Sequence, residues 1–131
     1  MNPILRFVKS VCVQTAVYWA APIKSGYGAQ SIFSNPVEIK VRWDDAETIV
    51  ELMPSHSGGN QQASRQIVSR ARVMVQQDLE ENGFLFLGSI VDLDSGAESN
   101  PLIQKGAFQI LRFIKTPLFR SSTEFVREVY L

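Results

Sequence analysis

The amino-acid sequence predicts an all-β, mainly antiparallel fold, a small β-barrel or sandwich of about seven strands with long loops. Every second residue from 37 to 43 is apolar and the residues between are charged, which is typical of a strand with one buried face. Several other short apolar runs are bounded by Gly, Pro, Asn and Asp. No strong helical pattern separates these runs, which favours a barrel or sandwich over alternating strands and helices.

Length and composition predict one domain over residues 1–131, because 45% hydrophobic and 20% charged residues are ordinary values for a globular protein. Cys12 is the only cysteine, so an intramolecular disulfide is impossible and a reducing compartment is expected. Residues 11–21 are apolar but interrupted by Gln14 and Thr15, and are far shorter than the roughly 20 residues that span a bilayer. We interpret them as a strand, and we expect no membrane partner.

The strand at 37–43 is followed by Asp44 and Asp45, which predict a turn into a second strand over 48–53. Residues 54–64, rich in Gly, Ser and Gln, predict an exposed loop excursion. Residues 60–83 fit either a helical apolar stripe or an alternating strand, and the pattern alone leaves both open. Further strands are predicted at 84–87, 107–115 and 124–131, with a polar loop over 92–101.

Charge is balanced overall, with 13 cations and 13 anions, but it is unevenly distributed. Residues 1–43 carry five cations and one anion, residues 44–100 carry three and ten, and residues 101–131 carry five and two, giving net charges of +4, −7 and +3. Acidic runs are usually solvated loops. The sharper interpretation is a polar subunit surface that faces a neighbouring subunit or a channel.

No constellation for catalysis or metal binding stands out, so we expect neither an enzyme nor a cofactor. The only histidine, His56, is in a Gly/Ser/Pro loop, and no residue that would activate it with Cys12 is recognisable. One Cys and one His do not complete a zinc site. Residues 92–103 begin like a calcium loop but have Ala97 where glycine is needed and Ile103 where glutamate is needed.

Nucleotide and nucleic-acid binding have weaker signals. Gly26 and Gly28 lack the third glycine and the strand-to-helix context of a dinucleotide site. Arg112, Phe113 and Lys115 combine an aromatic residue with cations, as single-stranded nucleic-acid sites do, and so does Trp43 beside Arg42. A monomeric oligonucleotide-binding barrel therefore remains an alternative function.

The order of several segments resembles that of small neck proteins of tailed bacteriophages, and more narrowly the head-closure, or stopper, group. The resemblance spans most of the chain from about Val13 onwards, and order and spacing carry it rather than any single motif. The segments are Val17–Trp19, Gly26–Gly28, Asn35–Asp45, Arg70–Asp78, Gly83–Gly88, Asp92–Ser95 and Phe125–Leu131.

This resemblance implies a small β-barrel in the virion neck, made in the bacterial host cytoplasm, that assembles as a homo-oligomeric ring (hexamer or dodecamer). Portal or adaptor proteins would lie above the ring and a tail or tail-terminator protein below it. Genomic DNA would pass through the lumen without sequence recognition. The resemblance also implies a strand over Arg70–Asp78, and a tail-terminator or adaptor ring remains an alternative within the same setting.

Two groups of residues are candidates for these contacts. The acidic candidates for a channel-facing or ring-interface position are Asp44, Asp45, Glu80, Asp92 and Asp94. The candidates for loop contacts to partner rings are Tyr27, His56, Gly58 and Gly59.

Overall fold

A computed structural model describes residues 2–24, 31–52 and 65–131, and it confirms the mainly antiparallel all-β prediction. Its elements in chain order are α1 (Pro3–Val11), β1 (Gln14–Trp19), β2 (Ile23–Lys24), β3 (Ser31–Ile32), β4 (Val37–Leu52), β5 (Arg65–Val75), β6 (Phe84–Leu87), β7 (Ala107–Gln109), β8 (Arg112–Pro117) and β9 (Phe125–Tyr130), with short 3₁₀ turns at Ile90–Asp92 and Pro101–Ile103. Seven strands form one sheet in the order β7-β6-β1-β4-β5-β9-β8, and β2 and β3 form a separate hairpin.

The seven-stranded sheet curls towards a barrel, because its two edge strands are almost consecutive in the chain. In a flat sheet of seven strands, β7 and β8 would lie about 29 Å apart at the usual strand spacing. Only Ile110 and Leu111 connect them, which limits the separation of the strand ends to about 11 Å. Within the described residues no ladder pairs β7 with β8, so the sheet is curled but not closed by strand pairing.

The main core fills the concave side of this curled sheet. Trp43 of β4 packs against Phe108 of β7 with ring centroids 6.4 Å apart, although two strands lie between β4 and β7 in the sheet. The buried residues of this core are Ala16, Tyr18, Ile39, Val41, Trp43, Ala71, Val73, Val75, Leu79, Leu85, Ile110, Val129 and Leu131. They come from five strands and from the segments that follow β5, β7 and β9. Phe108 of β7 and Phe113 of β8 pack against them, so this core contacts all seven strands of the sheet.

A second, smaller core lies on the convex side of β1 and β6. Val17, Trp19 and Phe84 are buried there, beneath the segment of residues 88–106. The indole Nε1 of Trp19 donates a hydrogen bond of 3.0 Å to the backbone oxygen of Glu98 in that segment. Because both faces of β1 are covered, its residues 16–19 are continuously apolar rather than alternating.

Residues 3–11 form helix α1, which the sequence interpretation did not predict. The Asn2 side chain caps the helix by accepting a 2.8 Å hydrogen bond from the backbone nitrogen of Ile4, and Pro3 occupies the first helical position. The strand predicted over 11–21 is shorter than expected and covers Gln14–Trp19. Asn-Pro at the start of the chain was the local signal for this helix.

The predicted hairpin turn at Asp44 and Asp45 is wrong, because β4 continues without interruption for 16 residues. The pairing of β4 with β5 shifts between Asp45 and Thr48, which is a β-bulge. The Asp45 carboxylate accepts a 2.9 Å hydrogen bond from Trp43 Nε1, and Asp44 lies 3.5 Å from Arg42 Nε. Both carboxylates therefore have partners within the extended strand, and the bulge interrupts the sequence alternation.

The remaining strand predictions are confirmed with changed boundaries. Residues 65–75, which the pattern left open between helix and strand, form β5, and the alternating residues Ala71, Val73 and Val75 enter the main core. The single strand predicted over 107–115 is broken into β7 and β8. The predicted loop excursion at 54–64 lies outside the described residues.

Candidate assembly surfaces

The outer parts of β4 and β5 form a two-stranded ribbon that extends beyond the rest of the sheet. In this ribbon, which we call the arm, residues 48–52 pair with residues 65–69. The pairing of β1 with β4 ends at Val41, and the pairing of β9 with β5 ends at Arg72. Within the described residues, neither outer edge of the arm belongs to a further ladder, so its backbone groups resemble those of an edge strand.

The arm carries an apolar pair on its surface. Ile49 lies directly opposite Val68, and the two residues are 69% and 56% exposed. The base of the arm is fixed by Ser69, whose buried hydroxyl lies 2.9 Å from the backbone oxygens of both Ala71 and Leu131 and shares its one hydrogen between them. An isolated two-stranded ribbon is marginally stable in water, and an exposed β-branched pair adds a tendency to associate. The arm is therefore a candidate contact surface.

A second exposed surface is on α1, and we call it the helix surface. Its apolar residues are Ile4 and Phe7, of which Phe7 is 61% exposed, and its cations are Arg6 and Lys9. Val8 lies one turn after Ile4 and is buried, and together with Leu5 it faces residues of β5 and β9 across a small cavity. The helix contains no acidic residue, so the helix surface is both apolar and positively charged.

A third exposed surface is on the segment that covers the smaller core, and we call residues 88–104 the loop surface. Val91 is 88% exposed there, and Leu102 and Ile103 are also exposed. All charged residues in this segment are acidic: Asp92, Asp94 and Glu98.

The loop surface is held in place by several local hydrogen bonds. The Asp92 carboxylate accepts hydrogen bonds from the backbone nitrogen and hydroxyl of Ser89, at 3.0 and 2.9 Å. These bonds, the backbone bond first, lower the pKa of Asp92 below its ordinary value, so this carboxylate is charged at neutral pH. Buried Gln104 accepts a 2.7 Å bond from the backbone nitrogen of Asp94, and Ala97 is fully buried. The loop surface is therefore ordered before it meets any partner.

The five acidic residues predicted from the sequence lie at three separate places. Asp44 and Asp45 are on β4 next to the arm, and Asp92 and Asp94 are on the loop surface. Glu80 precedes β6, and its backbone nitrogen donates to the hydroxyl of Tyr18. Because Tyr18 pairs with Val37, Glu80 lies near the beginning of β4. Seven residues separate that end of β4 from Asp44, a distance of about 23 Å along a strand. One subunit therefore does not gather the five residues into a single cluster.

The structure also describes an ion-pair group that the sequence did not indicate. The Asp78 carboxylate lies 2.6 Å from Arg127 Nε and 3.2 Å from Lys115 Nζ, and so joins the chain after β5 to β9 and β8. Hydrogen bonds from Arg127 and then Lys115 lower the pKa of Asp78. Both cations also lie over the Phe125 ring, at 4.4 Å for Lys115 and 5.9 Å for Arg127. No local pattern could reveal this group, because its members are 37 and 49 residues apart from Asp78.

The residues considered for nucleic-acid binding have mostly structural positions. Phe113 packs against the main core and Trp43 is buried in it. Lys115 belongs to the ion-pair group with Asp78. These aromatic rings therefore do not form an exposed stacking platform of the kind that single-stranded nucleic acids require.

Cys12 is a buried structural residue. It is 3% exposed, and its thiol donates to the backbone oxygen of Met74 at 3.6 Å. Burial raises the pKa of this thiol, which keeps it in the unreactive protonated form. His56, Tyr27, Gly58 and Gly59, the predicted loop contacts, lie outside the described residues.

No group of three or more His, Cys, Asp and Glu residues that could hold a metal ion occurs in the described ranges 2–24, 31–52 and 65–131. In the same ranges, no helix is both long and apolar enough to cross a bilayer. Comparisons with protein-family models, with curated proteins and with solved structures found no match for this chain.

Proposed function

We propose that this protein is a structural subunit of the neck of a tailed bacteriophage, where it forms a head-closure ring. In this role the ring lies below the portal and adaptor, closes the DNA-filled head and provides the surface on which the tail docks. The order of segments along the chain supports the proposal through its resemblance to stopper proteins. The arm is the structural observation that carries it.

The arm supports an assembly role because, in an isolated monomer, little burial of apolar surface offsets the free energy needed to order its backbone. Ordering each backbone residue costs roughly 1–2 kcal/mol, and burial of apolar side chains is the main source of compensation. Ile49 and Val68 remain more than half exposed, so they contribute little of that compensation in an isolated chain. A neighbouring protein that covers Ile49 and Val68 and forms backbone hydrogen bonds with an open edge of the arm would supply this compensation.

The acidic residues support a second part of the proposal, in which one anionic place on each subunit lines the channel. A ring of ionised carboxylates repels phosphates and so lets DNA pass without binding. Because the candidates lie at three places on a subunit, the orientation of the subunit in the ring decides which of them face the lumen. A ring with Asp44, Asp45, Glu80, Asp92 and Asp94 all on its outer wall would remove this part of the proposal.

Electron microscopy of virions that contain this subunit tests the proposal most directly. We expect a ring of density with the curled sheet described above, between the portal–adaptor assembly and the tail. Density in direct contact with the tail tube or with the portal would instead identify a tail-terminator or an adaptor. A purified chain that stays monomeric and gives a salt-dependent shift with single-stranded DNA would replace the proposal with a nucleic-acid-binding barrel.

A further inference from the structure

The helix surface and the loop surface have opposite charges and similar apolar content. The helix surface presents Arg6 and Lys9 beside Phe7, and neither cation forms an ion pair within the described residues. The loop surface presents Asp94 and Glu98 beside exposed apolar residues, and the covering segment 88–106 has three anions and one cation, Lys105, near its end. The positive charge of the helix surface therefore complements the negative charge of the loop surface, as charges do between partner surfaces in protein interfaces.

The two surfaces lie on different sides of the subunit. The helix packs against β5 and β9, and residues 88–106 pack over β1 and β6. In the sheet, β4 lies between β1 and β5. This separation leaves both surfaces available to other molecules.

We propose that the helix surface of one copy docks on the loop surface of the next copy, so that subunits associate head to tail. This contact rests on the proposed ring function and specifies which surfaces form the ring. A head-to-tail contact joins two unlike surfaces, and it closes into a ring when the rotation between subunits allows it. The charge complementarity selects a second copy as the occupant of each surface.

The division of roles within this contact follows the usual arrangement of interfaces. Phe7 would form the apolar contact with Val91 and Leu102, while the charged residues form the rim. Charges at a rim mainly increase the association rate and select the orientation. Because the loop surface is already held by the Ser89–Asp92 hydrogen bonds, little conformational entropy is lost when it is covered.

Sedimentation velocity of the full chain over a range of concentrations and salt tests this contact through charge reversal. One variant carries Arg6→Glu and Lys9→Glu, and the other carries Asp94→Lys and Glu98→Lys. Each variant alone brings like charges together, so we expect self-association at least about tenfold weaker than that of the wild type. An equimolar mixture restores association, because each reversed surface then meets its reversed partner in an alternating ring.

Lys40→Glu is the matched control, because Lys40 is an exposed charge on β4 outside the two surfaces and away from the arm. Thermal unfolding of each variant checks that the fold is retained, and we expect the control to associate like the wild type. A wild type that assembles together with variants that assemble equally well would overturn this contact and leave the ring function intact. A mixture that fails to recover would overturn it in the same way.

A wild-type chain that stays monomeric at every concentration would overturn the contact altogether. Binding of vesicles that contain anionic lipid, or of double-stranded DNA, would then be measured with the Arg6→Glu, Lys9→Glu variant beside the wild type. Binding lost in that variant would assign the helix surface to the membrane or to DNA instead of a second copy. The position of the subunit in the virion remains a separate measurement, so failure of the contact and failure of the neck function give different results.

Discussion

Ile110 and Leu111 are neighbours in the chain, yet their backbone nitrogens donate to segments near opposite edges of the sheet. The Ile110 nitrogen bonds to the backbone oxygen of Gly83, next to β6, and the Leu111 nitrogen bonds to that of Tyr130 in β9, both at 2.7 Å. The change of partner within one peptide unit turns the chain from one edge of the sheet to the other. It is the connection that makes the sheet curl around its core.

Shortening the side chain at this corner should destabilise the whole domain. Ile110 is fully buried in the main core, so we expect Ile110→Ala to lower the free energy of unfolding by about 2–5 kcal/mol. Ile103→Ala is the control, because Ile103 is exposed and its truncation should change stability by less than about 0.5 kcal/mol. Urea unfolding followed by tryptophan fluorescence measures both, and equal effects would contradict the role given to the corner.

Trp19 should couple the sheet to the loop surface. In Trp19→Phe the aromatic packing is largely kept, but the hydrogen bond to the backbone oxygen of Glu98 is lost. We expect the free energy of unfolding to fall by about 1–3 kcal/mol, because phenylalanine has no N–H group to donate to the Glu98 oxygen. Hydrogen exchange should accelerate more across residues 88–104 than in β5. Uniform acceleration through the sheet would contradict this local coupling.

The Asp78 group predicts a specific pH dependence. The pKa of Asp78 is lowered in the folded state relative to the ordinary value of 3.8, so its stabilising effect is present above that value and is lost as the pH falls through the lower folded pKa. We expect Asp78→Asn to lower the urea midpoint at pH 7, with a difference that shrinks below about pH 4. The effect should be modest and reduced by salt, because the group is solvent-exposed.

Glu81→Gln is a useful comparison for Asp78→Asn. It also removes a carboxylate from an exposed turn, but Glu81 forms no ion pair within the described residues. Its midpoint should therefore differ less from that of the wild type at pH 7. If the difference in urea midpoint between Asp78→Asn and the wild type persisted unchanged at pH 2.5, the effect of the substitution would not be electrostatic.

The arm should affect assembly more than folding. Ile49→Thr and Val68→Thr keep the branched shape but reduce apolar surface, and both residues are exposed, so the monomer should lose less than about 0.5 kcal/mol. Self-association measured by sedimentation should weaken if the arm contacts a neighbour. Val73→Thr, in the core part of β5, should give the opposite result, with a large loss of stability. Unchanged association in both arm variants would exclude the arm from the interface.

The thiol of Cys12 should be almost inert until the protein unfolds. Burial keeps it protonated, and access to solvent is nearly closed. We expect slow reaction with a thiol reagent at pH 7 in buffer and rapid reaction in strong denaturant. Fast labelling of the native protein would place Cys12 outside the packed interior.

The sequence by itself determined the fold class and most of the strands, because alternation and turn residues are local properties. Residues 37–43 are the clearest case, because Ile39, Val41 and Trp43 are buried as their alternation predicts, although Val37 at the start of β4 is exposed. The predicted acidic residues could be identified in the same way, but their distribution over three places could not. Local composition says that Asp44 and Glu80 are polar, and the pairing of distant strands decides how far apart they lie.

The tertiary structure alone decided the features that depend on distant partners. Residues 65–75 became a strand because β4 offered an edge along most of their length and β9 offered a second edge along residues 72–75. Asp44 and Asp45 stayed in β4 because their carboxylates found partners there, and Asp78 gained its cations from strands that follow much later in the chain. The curl of the sheet at Ile110 and Leu111 has the same physical origin, since hydrogen bonds between remote segments are absent from any local pattern.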